Sequence, residues 1–534
     1  MKKYFTIQFL LLVLVNISYS QYIVQQNYLD ANNIKAYYQN TGVFDNNLAY
    51  TNSPGFEWPK NSGKYSNYTA GLSIAAYVNG SIRNASVTYG GEYMYGCVIN
   101  NSYYSDSTFR IYKVSSGDNA YNNPDWMNWG FMVPYGAPYF DYNNNGLYEP
   151  LIDTPGVRNS AQTLFMCITD ANPISHSTGF GYGGGTLPLF SEMHITAWCY
   201  TDSALADVHF VKFEIINKGI NTWNNVMLGF FSDPDLGGAG DDYSGCDTTL
   251  NMAYCYNGDN YDEVYGNNPP AFGLMFLRSG YNRSVTPNKF LGMTSYITTY
   301  QGGAPNCIHN SGNYIQLYRL LSGLKKDSSS NWDPTYTPYR KTKFCFSGDP
   351  ETNAGWTNFK GYLYGCGDTN LNLYNNSNDV KFFMNSGADN FNVVPGEKQN
   401  IVIAQLIARG SSNLNSVTKL KQLAINSQSF YDLNFPVINE IKPEIIPENY
   451  SLGQNYPNPF NSITTIKYQV QSSKFVRLVV FDLLGKEVKT LVSEVKPAGS
   501  YEIRFDAAGL SSGVYFYKMT AGDFSDVKKF VLLK

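Results

Sequence analysis

From Asn449 to Lys534 this 534-residue chain is cut into short runs in which successive side chains alternate, and that pattern leaves few folds open. Ile463, Thr465 and Lys467 fall on one face of an extended strand, with Thr464, Ile466 and Tyr468 on the other. Val476–Phe481, Tyr501–Phe505, Gly513–Met519 and Lys528–Leu533 are further short runs of this kind. Turn formers separate them: Asp482 to Gly485, Pro497-Ala498-Gly499, Gly509 to Ser512 and Gly522-Asp523. A period of two cannot supply the apolar stripe that a helix needs. Six or seven strands in about 85 residues predict a small Ig-like antiparallel β-sandwich.

The preceding region, 21–435, reads as all-β too. Aromatics make up 16% of the chain and charged residues only 15%, with 45 Tyr and 47 Gly, a balance suited to strands joined by many turns. About 415 residues exceed what one core usually supports, so a large multi-sheet region of two or more packed β units is expected. Val208–Ile216 and Val226–Phe231 read as neighbouring strands, and Phe391–Ala408 as a hairpin turned at Pro395-Gly396. One helix is expected, Ser416–Tyr431, where Val417, Leu420, Leu423, Ala424 and Ser427 form a helical stripe. The stretch 436–450, with Pro443 and Pro447, reads as a linker to the tail domain 451–534.

At the other end, Met1-Lys2-Lys3, the apolar run Phe5–Val15 and Ser18-Tyr19-Ser20 compose a Sec signal peptide, residues 1–20. No other apolar run approaches eighteen residues, so the mature chain is expected to carry no transmembrane segment. It also lacks the sustained alternating spans of an outer-membrane barrel. The formal charge of −4 is too small to drive binding to nucleic acid or to a membrane surface.

Two stretches offer oxygen ligands. Asp141, Asn143 and Asn145 stand at positions 1, 3 and 5 of a loop with Gly146 at its sharp turn, followed by Glu149. That is the first half of an EF-hand loop, but Ile152 takes the place of the bidentate Glu and no helices flank it. A helix-free calcium loop or a plain Asn/Gly turn fits the residues. The second stretch is Asp233, Asp235, Asp241, Asp242 and Asp247, on a Gly-rich run that leaves a strand. Five close carboxylates repel one another unless a cation or solvent neutralises them. Calcium, a solvated acidic loop, or paired acid/base carboxylates as in glycoside hydrolysis are the alternatives.

Other chemistry is thinly represented. The eight cysteines form no Cys-x-x-Cys pair, and Cys246 and Cys255 are near enough for a hairpin bridge if they are not buried thiols. The histidines at 176, 194, 209 and 309 lie outside any metalloprotease motif, and no Gly-x-Ser-x-Gly elbow occurs. His209 reads as an ordinary strand histidine. The glycines from Gly179 to Gly185 lack the Gly-Lys-Ser/Thr of a phosphate loop.

Four motifs in the tail carry a resemblance. Asn455-Tyr456-Pro457-Asn458-Pro459-Phe460 comes first, and Val480–Val488, with Asp482 and Gly485, follows. Ser511–Tyr517, with Gly513 and Tyr515, precedes the last motif, Lys529–Lys534. Together they resemble the type A C-terminal sorting domain of type IX secretion cargo, departing from it at Ser462, where relatives usually carry another Pro. The resemblance implies Sec passage to the periplasm and recognition by the type IX outer-membrane machinery. Delivery to the cell surface or medium follows, often with removal of the tail. Leu29–Ile34, the loop at 141–149, Gly229–Asp247, Asp379–Gly396 and Ser416–Phe435 are similar to a class of large exported proteins to which no activity is attached. The expected function is a non-enzymatic surface or secreted structural or binding protein, with a glycan or cell-surface ligand met by exposed Tyr and Trp. The alternative is an exported hydrolase of polysaccharide or protein.

Overall fold

The computed structural model describes residues 24–49, 53–176, 181–182, 185–300, 304–368, 370–375, 379–435, 449–472, 474–496 and 499–533. The signal segment, the linker up to residue 448 and Lys534 lie outside these.

The protein is all-β. Residues before 409 build two large sheets, one of ten strands and one of nine. At the centre of the first, Asn224–Asp233 lies between Thr69–Val78 and Val380–Gly387. The second runs through Gln162–Thr169, Ser191–Cys199, Val208–Asn217, Lys398–Ala408 and Ala271–Arg278, each antiparallel to the next. A single apolar core draws on both sheets. Phe230 of the first sheet meets Phe213 and Phe276 of the second, with ring centroids 5.3 and 5.7 Å apart. Each such ring contributes about 1.5–3 kcal/mol on burial. The expected packed β units therefore take the form of two sheets on one shared core.

Strands in the middle of this arrangement are covered on both faces. Every residue of Gln162–Thr169 and Ser191–Cys199 is buried. The outer face of Gln162–Thr169 lies under a second layer built on Phe109, Trp129 and Met132. Further along the same sheet, Met252–Asn257, Ala271–Arg278 and Lys398–Ala408 lie under the helix Asn413–Asn434, which extends the expected helix by a few residues at each end. Ser412 caps it by accepting the Asn415 N–H at 3.0 Å. Val417, Leu420, Ala424 and Tyr431 then pack against Met252, Tyr254, Met275 and Ala404.

Two local readings are corrected. Val208–Asn217 and Asn224–Asp233 are not neighbours, since they belong to opposite sheets. The chain changes sheets at Trp223, which is buried and donates its indole N–H to the Leu189 carbonyl. Phe391–Val393 does not pair with Lys398–Ala408 either; Val393 bridges to Trp223 instead, across the turn held by Gly396 at φ 80°. Of the two alternatives for Cys246 and Cys255 the structure has the buried thiols, since their register partners are Ala253 and Ser244. The disulfide joins Cys307 to Cys366.

Residues 449–533 form the expected sandwich. Ser451–Leu452, Ile463–Val470 and Gly499–Asp506 make one sheet. Glu487–Lys496, Lys474–Phe481, Gly513–Ala521 and Phe524–Leu532 make the other, and Glu487–Lys496 is a strand absent from the sequence reading. Its core is its own, built on Ile466, Leu478, Tyr517 and Phe530.

Candidate functional site

A short helix, Pro124–Asn128, opens with a proline and is capped by Asn123, which accepts the Asp125 N–H at 2.8 Å. It fixes Trp126, whose indole N–H donates to the Pro150 carbonyl at 2.9 Å while Tyr148 donates its hydroxyl to the Trp126 carbonyl at 2.6 Å. Beside it, Phe140 and Tyr142 meet edge to face at 4.4 Å, and the Arg158 guanidinium lies over Phe140 at 4.6 Å. These side chains line a cavity of 360 Å³. Arg158 and Asn159 also border a second cavity of 580 Å³. Its far wall is Tyr200, Asp202 and the end of the long helix, with Asn426, Phe430, Leu433 and Asn434. The two cavities share the Arg158–Asn159 border, and together they form a candidate groove whose lining is aromatic and dotted with amides. Nothing in the local sequence marked it, because its walls come from segments spread between Val114 and Phe435.

The loop from Asp141 to Glu149 contributes Tyr142 to the smaller cavity. It joins the paired strands Tyr139–Phe140 and Thr154–Pro155, so it is a hairpin loop and no EF-hand. Asp141 accepts the backbone N–H groups of Gly146 at 2.7 Å and Asn145 at 3.3 Å. The amides of Asn143 and Asn145 both donate to Glu149 Oε2, at 2.7 and 2.5 Å. Asp153, buried beneath, accepts from the backbone of Tyr142 and Glu149. Asn143 and Asn145 thus turn their amide nitrogens to Glu149, while Asp141 is taken up by the loop backbone; the oxygens these four residues carry are hard donors.

The acidic stretch is divided instead. Only Asp233 and Asp235 stay together, joined by Asp379, and the three offer oxygens within 4.8 Å of one another. Buried Lys381 sits among them, 3.0 Å from Asp233 and 2.7 Å from Asp379, and Tyr89 donates to Asp233 at 2.5 Å. Burial, then the charges of Asp233 and Asp379, push the Asp235 carboxyl up to about 7. Asp241 turns away to accept from the Asn257 amide. Asp242 is fully enclosed, accepts the Leu236 N–H at 3.0 Å, and burial raises its carboxyl well above the usual range. Asp247 pairs with Lys421 at 3.2 Å. Asp379 and Lys381 were invisible to the sequence reading, since strand pairing alone brings them to Asp233.

The histidines are all engaged. His176 lies between Asp170 and Glu92, and His194 between Glu192 and Glu214. His209 bonds Asn32 at 3.0 Å and Tyr38 at 3.3 Å, and His309 faces the Ala304 carbonyl. Among the described residues none hydrogen-bonds a serine hydroxyl or a cysteine thiol. Of the glycine-rich run only Gly181, Tyr182 and Gly185 are described, and the Tyr182 N–H donates to Ser86.

In the tail, the sorting residues knit the first segment to the last strand. Asn455 is buried, donates its backbone N–H to the Tyr517 hydroxyl at 2.8 Å, and donates its amide to the Pro457 carbonyl and Thr464. Asn458 accepts the Val531 N–H at 2.9 Å and donates to the Lys529 carbonyl. Pro457 and Pro459 both follow cis peptide bonds. Asp482 accepts the N–H groups of Leu484 and Lys486 around Gly485, whose φ of 79° suits glycine. Tyr515 donates to the Ser511 carbonyl, closing the turn before Gly513.

Residues 454–533 match the secretion system C-terminal sorting domain family. No curated protein matches the chain by sequence. Among solved structures, a polysaccharide lyase is 8% identical with a TM-score of 0.18, over 64% of this chain and 34% of that one, so the chain spans about a third of the lyase. The adhesin domain of Epf from Streptococcus pyogenes is 6% identical with a TM-score of 0.13, over 65% of this chain and 94% of that one. PorZ, a surface component of the type IX secretion system of Porphyromonas gingivalis, is 9% identical with a TM-score of 0.13, over 95% of this chain and 75% of that one. TM-scores this low carry no argument. No helix among the described residues is long and apolar enough to cross a membrane.

Proposed function

We propose that this type IX secretion cargo, exported to the outer cell surface or released from it, is a non-enzymatic binding protein that holds a glycan chain in the groove between Trp126 and Phe430. One observation carries the reading: Arg158 and Asn159 border both cavities, so a ligand lying across them would meet aromatic and amide side chains on either side. Aromatic faces stack against the C–H faces of sugar rings, while amides, a guanidinium and a carboxylate suit their hydroxyls. Two cavities bordered by the same residues suit a linear polymer better than a compact small molecule.

Calcium is part of the proposal, at the Asp141–Glu149 loop. Support comes from the oxygen-bearing side chains of Asp141, Asn143, Asn145 and Glu149 on one short loop, two of which already meet Glu149, and from Tyr142 of that loop, which lines the smaller cavity. An ion there braces the Tyr142 side of that cavity. In the acidic stretch the Lys381 ammonium already stands between Asp233 and Asp379, which supports an ion-paired anchor there.

The test is a titration of the mature protein with soluble polysaccharides, followed by calorimetry. Tyr142→Ala and Arg158→Ala, both exposed, are expected to weaken binding about tenfold each with an unchanged melting temperature. Failure to bind any polysaccharide tried overturns the reading. The hydrolase alternative rests on Asp235, a raised carboxyl beside two others. Release of new reducing ends, lost in Asp235→Asn, favours that alternative.

A further inference from the structure

Across three neighbouring strands of the nine-stranded sheet, one row of side chains is unlike the apolar rows around it. Cys167 lies directly opposite His194, and His194 directly opposite Glu214. Glu192, two residues before His194, shares that face. The thiol of Cys167, a carboxylate oxygen of Glu192 and an imidazole nitrogen of His194 lie within 4.8 Å of one another, and all three residues are buried. The Cys167 thiol donates to the Gly96 carbonyl at 3.2 Å, and a further thiol, outside that 4.8 Å group, borders the cluster. Cys97, 2% exposed, follows Gly96, whose N–H donates to the Cys167 carbonyl at 3.1 Å. The next residue, Val98, donates its N–H to Glu192 at 2.8 Å. Tyr135 roofs the corner, with its hydroxyl on Cys97 at 3.7 Å and its ring edge-on to His194 at 5.9 Å.

We propose that this corner is a structural zinc site, with Cys167, Glu192, His194 and Cys97 as ligands. Two sulfurs, one imidazole nitrogen and one carboxylate oxygen are a donor set that zinc accepts in a closed tetrahedral site. The second contacts fit as well. His194 Nδ1 lies 3.3 Å from Glu214, leaving Nε2, 3.0 Å from Glu192, as the ligand atom. A carboxylate behind a ligating histidine fixes its tautomer and orients the ring. The Glu192 carboxylate is itself anchored by the Val98 N–H, and Lys218 stands 3.7 Å away at the rim. On binding, the thiol protons and any proton on Nε2 pass to solvent, and no redox change occurs. The metal then clips the start of the 97–104 hairpin to the sheet beneath it.

The test uses the mature full-length protein, purified under reducing conditions, loaded with zinc and then desalted. About one equivalent of zinc is expected to stay bound and to raise the melting temperature, and the cobalt-substituted protein to show a thiolate-to-cobalt absorption band. Cys167→Ser and His194→Gln are each expected to lose the band and most of the retained metal. If these variants do not fold, X-ray absorption at the zinc edge of the unaltered protein decides: sulfur in the first shell supports the site. Oxygen and nitrogen only, no retained zinc, or a Cys97–Cys167 disulfide in the native protein overturns it.

Discussion

His209 is enclosed between the two sheets, and its surroundings decide its chemistry. Its ring bonds Asn32 and Tyr38; Tyr38 donates to Gln405, and Gln405 donates to Asp45 at 2.6 Å. Burial pushes the imidazole down to about 3 and the Asp45 carboxyl up to about 7, so charge is disfavoured at both ends of the chain of bonds. The histidine's effect on stability has a definite sign. Between pH 6.5 and about 3 the unfolded chain takes up a proton that the folded ring refuses, so stability falls as pH falls through that window and is complete above it. From pH 7 to pH 4 this amounts to roughly 3 kcal/mol. His209→Gln is expected to lose that much less stability over the same interval in urea unfolding. Equal losses in the two proteins would sink the argument. The residue itself was readable as an ordinary strand histidine; its partners, from Asn32 to Gln405, were not.

At the scale of elements, the hairpin loop Asp141–Glu149 is the clearest case of local sequence setting local structure. Asn144 and Gly146 take positive φ, and Asp141 folds the loop onto its own backbone, as the Asp-x-Asn-x-Asn-Gly spacing requires. With calcium bound there, a chelator is expected to lower the melting temperature of the mature protein by a few degrees, and Asp141→Ala to abolish the difference. A melting temperature indifferent to both calcium and chelator leaves the loop an Asn/Gly turn. Helix Asn413–Asn434 was equally legible, because its stripe and its Ser412 cap are local. Strand partnership was not. Val208–Asn217 and Asn224–Asp233 bury side chains on both faces, so alternation could not say which sheet each joins. The groove suffers from the same limit, since Arg158, Tyr200 and Phe430 meet only after the sheets close.

For the whole molecule, the tail has a core separate from that of the two large sheets, so the export signal and its passenger are built as distinct packing units. Removing residues 449–534 is expected to leave the passenger in the periplasm, measured by cell fractionation and surface proteolysis. Normal surface display of the truncated chain would refute the role of the tail. The sequence by itself determined the β class, the tail sandwich and its sorting motifs, and the one long helix. Each of these is written in side-chain period and turn chemistry over a few tens of residues. Only the tertiary structure decided the pairing of strands, the Cys307–Cys366 bridge, the scattering of the acidic stretch and the assembly of the groove. Those depend on which buried faces meet, and a strand that is buried on both sides carries no record of its partner.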